Sequence, residues 1–307
     1  MGVRYTNHDL HGVVNVYKEK GYTSHDVVAV IRRLTGAKTG HTGTLDPDAE
    51  GALPVCLGKA TRLSDYIMAG EKQYRAEVIL GKTTDTEDAS GNVLEEFPVN
   101  VTEEDIQNTI NTFIGDIEQI PPMYSAIKVN GQKLYHLARQ GREIERKPRP
   151  VTIKDIRITE WIPPNRFFME VTCSKGTYIR TLCADIGRQL GCGAHMGSLL
   201  RLATGRFCSQ DGVALSELKQ AAENGRLEDF VIPMEEVLSD YPSVTVSREA
   251  EKFLRNGNRI HCGFVTPEVL PSQGRVVVYD WDSRLAGLYE PVEEQGQIYL
   301  KPAVMLV

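Results

Sequence analysis

Gly40-His-Thr-Gly-Thr-Leu-Asp-Pro-Asp-Ala-Glu-Gly-Ala-Leu-Pro54 opens with a run too rich in turn formers to make a regular element. Asp46 precedes Pro47, whose ring disfavours the helical region for the residue before it and holds Asp46 extended. Gly40, Gly43 and Gly51 permit close backbone approaches around that carboxylate. A carboxylate presented on a constrained loop suits nucleophilic or acid–base work. An isolated Asp-Pro also serves simply to start a turn, and the loop residues by themselves leave both readings open.

On the N-terminal side, Thr23 or Ser24 can cap a helix whose apolar face is Val27, Val30, Ile31 and Leu34, with Gly36 as its stop. On the C-terminal side, Tyr74, Ala76, Val78 and Leu80 recur at every second position, the spacing of a strand. Thr102 caps a second helix carrying Ile106, Ile110 and Phe113, and Val151 to Trp161 and Phe167 to Cys173 read as strands. Lys175-Gly176 ends the latter, and Ile179, Leu182, Ile186 and Leu190 mark another helix. Helices and strands mix without the strict alternation of a parallel sheet, so an α+β (mixed α/β) core is expected. Past Asp240-Tyr241-Pro242 the character changes. A short helix near Ser247 to Leu254 gives way to β-like runs at Arg275 to Tyr279, Leu285 to Tyr289 and Ile298 to Leu306, the pattern of a small β-rich C-terminal domain.

The totals narrow the function classes. The 307 residues allow a large domain and a smaller one, and 41% hydrophobic with 25% charged residues is the balance of a globular protein. No apolar run approaches the roughly 20 residues that cross a bilayer, and no signal-peptide core is present, which makes the cytoplasm the expected location. Met1 to Thr6 fits only the permissive myristoylation pattern. The six cysteines form no CxxC pair, so no metal is expected, and they read as buried free thiols. Gly36-Ala-Lys-Thr39 lacks the glycine a phosphate loop needs directly before its lysine, and the glycines at 191, 193 and 197 follow a helix instead of a strand. A net charge of −6 speaks mildly against a nucleic-acid partner. Lys128, Lys133, Arg139, Arg142, Arg146, Lys147 and Arg149 nevertheless cluster, either as a local phosphate-binding surface or as a solvated loop. Asp46 and Asp48 could pass for the paired carboxylates of a glycosidase, but residues two apart on an extended chain point to opposite sides.

The string from Gly40 to Pro54 closely resembles the central motif of TruB-type pseudouridine synthases, and the similarity continues along the chain. Lys18-Glu-Lys-Gly21-Tyr-Thr-Ser24 is similar to the family's N-terminal motif, with Glu19 where a proline is usual. Lys72-Gln-Tyr74 with Thr84-Asp-Thr86, Ser174 through Arg180, and Gly191 through Leu202 resemble its further motifs. Pro121 to Tyr135 resembles the insertion of the bacterial tRNA enzymes. The resemblance implies a core with a mixed, largely antiparallel sheet and flanking helices over 1–240, an RNA-gripping insertion at about 120–150, and a PUA-like RNA-binding domain over 241–307. It implies isomerisation of uridine 55 in the T-loop of tRNA, which consumes no cofactor and engages tRNA through its T-arm. Asp46 would be the nucleophile, with Arg180 beside it and Tyr74 stacked on the flipped base. Tyr178 and Leu199 would wall the pocket, His41 would fill the gap left by the base, and Lys18 would join the substrate-binding set. No obligate protein partner is implied, and a monomer is the default. A tRNA chaperone without catalysis is the alternative, although it would not need Asp46, Tyr74 and Arg180 together.

Overall fold

The structure, a computed structural model, describes residues 10–307 except 126, 130, 143, 268–270 and 272–273, together with all but the side chains of Lys128, Lys133 and Arg139. Met1 to Thr6 and part of the basic cluster therefore lie outside the described residues.

The first helix, Ser24–Thr35, starts at Thr23, whose hydroxyl accepts from the Asp26 amide while the Asp26 carboxylate accepts from the Thr23 amide. This reciprocal pairing satisfies two otherwise orphaned donors. Gly36 closes the helix in the left-handed conformation. Thr102 and Asp105 repeat the same box at the start of Glu103–Asn111.

Among the described residues, nine strands form the principal sheet. Its main path runs Gly12–Lys18, Glu50–Leu57, Ala194–Thr204, Lys72–Leu80, Arg166–Cys173, Arg149–Ile162 and Gly115–Gln119. Every pairing in it is antiparallel except that of Ala194–Thr204 with Glu50–Leu57, where Leu200 lies beside Glu50 and Arg201 beside Gly51. The sheet is thus mixed and largely antiparallel. Its core face carries Tyr74, Ala76, Val78 and Leu80 against Leu182, Cys183 and Ile186 of the helix Ile179–Gln189.

Three of the longer strands of this sheet escape the sequence reading, as do the short Gly115–Gln119, Thr39–His41 and Phe207–Cys208. Gly12–Lys18, Glu50–Leu57 and Ala194–Thr204 are buried along most of their length, so they show no polar alternation to betray them. The glycine-rich stretch also begins inside a short strand, Thr39–His41, and ends inside Glu50–Leu57, leaving only 42–49 irregular.

From Ser243 onward a second sheet of six strands forms among the described residues. It packs on the first through one shared apolar cluster, in which Val277, Leu288 and Leu306 meet Val13, Cys56, Leu63 and Met234. No helix among the described residues is long and apolar enough to cross a membrane.

Candidate active site

Residues 42–49 are held from below by side chains of three different elements. Ala49 donates to the Asp46 carbonyl at 3.1 Å, closing a turn with Pro47 at its second position. From the first strand, the Lys18 ammonium, fully buried, donates to the carbonyls of Glu19, Pro47 and Ala49. From the first helix, the Ser24 hydroxyl accepts from the Leu45 amide at 2.9 Å and donates to its carbonyl at 3.1 Å. From the central strand, Arg201 donates to Ala52 O at 2.7 Å and Gly43 O at 3.2 Å. Burial draws the Lys18 pKa down to about 8 against the pull of Glu50, Asp46 and Asp48. Its three donors are committed to backbone carbonyls, which places Lys18 as a brace beneath the loop.

The loop so fixed directs Asp46 at Arg180, with Oδ2 3.1 Å from Nε. Arg180 lies in the first turn of Ile179–Gln189, where a cation opposes the helix macrodipole. Specific partners outweigh that cost. Nη1 meets Asp88 at 3.3 Å and Thr86 O at 3.2 Å, and Nη2 donates to Tyr124 O at 2.8 Å. A surface helix arginine would be exposed; this one is buried.

Desolvation raises the Asp46 pKa above the ordinary carboxylate value, and Asp88 and Asp48 push the same way, while Arg180 and then Lys18 oppose them. The side chain keeps 41% of its surface open, so the group is crowded on the protein side and reachable from one face. That suits a nucleophile approached by an incoming base. Asp48 is exposed on the same turn, and its charge acts on Asp46.

Tyr74 lies buried on Lys72–Leu80 in the same core cluster as Leu45 and Ala49, with its hydroxyl beside Arg201. Tyr178 is half-buried immediately before the Arg180 helix. The phenols of both feel the Asp46 charge, and burial raises both above their usual pKa. Leu199, half-buried, packs on this cluster from Ala194–Thr204, opposite Ala76. His41 stands at the head of the loop in edge contact with His25, ring centroids 5.4 Å apart. Burial, then the charges of His25 and Arg201, lower its pKa to about 4, and its buried Nδ1 has no hydrogen-bond partner. Among the described residues no group of three or more His, Cys, Asp or Glu side chains is placed to hold a metal ion. Sequence reasoning did not single out Ser24, Asp88, Gln119 and Arg201 as site residues. Arg201 and Asp88 lie in or next to motif strings already noted, but only their contacts show what they do.

Residues 31–179 match the family model described as TruB family pseudouridylate synthase (N terminal domain), and residues 180–239 match tRNA pseudouridylate synthase B C-terminal domain. The tRNA pseudouridine synthase B of Alkaliphilus oremlandii is 45% identical over 294 residues, spanning 95% of this chain and 97% of that protein. The chain belongs to the TruB family. Another TruB relative, the tRNA pseudouridine synthase B of Clostridium perfringens, is 47% identical over 253 residues, spanning 82% of this chain and 85% of its own. Among solved structures, this TruB-family chain is similar to that of a Cbf5–Nop10–Gar1 complex, with a TM-score of 0.75 and 27% identity over 98% of this chain and 86% of that one. That coverage includes the C-terminal sheet, which lies beyond both family models.

Proposed function

We propose that this protein isomerises uridine 55 in the T-loop of tRNA to pseudouridine, with Asp46 as the nucleophile. The observation that carries the reading is the Asp46–Arg180 pair on a braced loop, in a chain related over nearly all its length to tRNA pseudouridine synthase B proteins. Ionised Asp46 attacks the bound uridine, at the uracil ring or at the ribose. The bond from N1 to the sugar breaks, the sugar carbon joins C5, the bond formed to Asp46 breaks to return the free carboxylate, C5 loses its proton and N1 gains one. Nothing is oxidised or consumed, so the chemistry calls for no cofactor.

Extruding the base costs roughly a few kcal/mol, and one aromatic stack returns about 1–3 kcal/mol. Tyr74 is read as that stack, with Tyr178 and Leu199 as walls. His41, whose pKa of about 4 keeps it neutral at physiological pH, is read as the ring that fills the emptied place. A neutral ring inserts between bases without carrying a desolvated charge. The 120–150 insertion is read as gripping the tRNA backbone and the sheet beyond 240 as a PUA-like RNA-binding unit, with the monomeric protein acting in the cytoplasm.

The test is tritium release from tRNA carrying 5-tritiated uridine. Release by wild type and none by Asp46→Ala is expected. Equal release by both would reduce Asp46 to a turn residue, and tRNA binding without release by either would favour the chaperone reading.

A further inference from the structure

Gln119 ends the edge strand Gly115–Gln119, at the root of the 120–150 insertion. Its side chain faces inward, 1% exposed, at the position of that strand where an apolar residue would serve packing best. The carboxamide is committed instead to a single residue. Oε1 accepts from the Tyr178 amide at 3.0 Å, and Nε2 donates to the Tyr178 carbonyl at 3.2 Å. Tyr178 is the N-cap of the helix that carries Arg180, and no side-chain cap holds that end. A buried amide is costly unless fully paired, so a clamp closed on one residue's two backbone groups is a specific placement. Five residues past Gln119, the Tyr124 carbonyl takes Nη2 of Arg180. The insertion root thus grips the Tyr178–Arg180 turn twice, once by its backbone and once by the guanidinium.

We propose that Gln119 is a positioning residue for the reaction, fixing the Tyr178–Arg180 turn to the insertion root so that the guanidinium stays aligned on Asp46. The inference rests on the reading of Asp46 as nucleophile. Asp46 is faced by Arg180 from its helix, Asp88 from the segment before Val93–Glu96, Lys18 from the first strand and Asp48 from its own turn, with the Tyr74 and Tyr178 phenols nearby. Arg180 also feels Glu87. Gln119 is neutral, so replacing it by a neutral residue changes no charge in this set. Of the charges that act on Asp46, Arg180 is the one carried by the turn that Gln119 holds, and its attraction opposes the desolvation of the carboxylate.

The experiment is single-turnover tritium release against pH with the full-length protein, comparing wild type, Gln119→Met and Gln119→Asn, alongside thermal melting. Gln119→Met is expected to slow the plateau rate by about ten- to a hundredfold and to move the acid limb to higher pH. Gln119→Asn, milder because it keeps the amide and only shortens its reach, carries the same test should Gln119→Met fail to fold. It is expected to shift the limb in the same direction. A lost clamp that only loosened the fold would lower the melting temperature and leave the acid limb in place, and that result overturns the proposal, as would wild-type rates in both variants. Absence of release by wild type itself would instead overturn the reading of Asp46, and this inference with it.

Discussion

Single residues in this site do two different jobs, and ionisation separates them. As the proposed nucleophile Asp46 acts in its ionised form, and desolvation lifts its pKa while Arg180 pulls it back. The rate therefore rises with pH through a midpoint above the ordinary carboxylate value of about 3.9. A single-turnover profile should place its acid limb above that value, and a limb at or below it would contradict the desolvated environment. His41 works in the opposite sense. Its pKa of about 4 in the folded protein lies below the 6.5 of the free side chain, so between those values the unfolded chain binds the extra proton. The stability tied to the neutral ring is full above about pH 6.5 and is lost as pH falls toward 4. Urea unfolding midpoints of His41→Phe should consequently fall less from pH 7 to 4.5 than those of wild type.

At the scale of elements, the loop is only as firm as what braces it. Thr23 caps the helix that presents Ser24 to Leu45, so Thr23→Ala should cost about 1 kcal/mol by denaturant unfolding. Gly51 is a harsher case. Its φ is +106°, and a Cβ there would lie 2.3 Å from the Arg201 carbonyl, across the parallel pairing of Glu50–Leu57 with Ala194–Thr204. Gly51→Ala should cost more than about 2 kcal/mol, combining backbone strain with a displaced Arg201. The sequence showed the capped helices, because a capping box is local, with both partners three residues apart. It did not show the Gly12–Lys18, Glu50–Leu57 and Ala194–Thr204 strands that carry Lys18 and Arg201, because strands buried on both faces lose the alternation that marks them.

Across the whole molecule, the two sheets share a core, and Arg62 adds a hydrogen bond to Met305 O at 2.7 Å. Cutting the chain after 240 would bare Val13, Cys56, Leu63 and Met234, so the remainder should aggregate or melt well below the intact protein. Intact, it should unfold in a single calorimetric transition, and two separated transitions would show the sheets to be independent. The residues by themselves determined the α+β character, the Asp46 loop and, through motif strings, the family and its chemistry, because those features lie in contiguous stretches. Only the tertiary structure decided the roles around Asp46. Arg180 is 134 positions away from it in the numbering, Arg201 is 158 from Gly43, and Gln119 is 59 from Tyr178. Lys18 carries three donors, yet the carbonyls of Pro47 and Ala49, brought over it by the fold, and that of its neighbour Glu19 take them all. A side chain's chemistry is written in the sequence, but which partner satisfies it depends on long-range packing that no local pattern encodes.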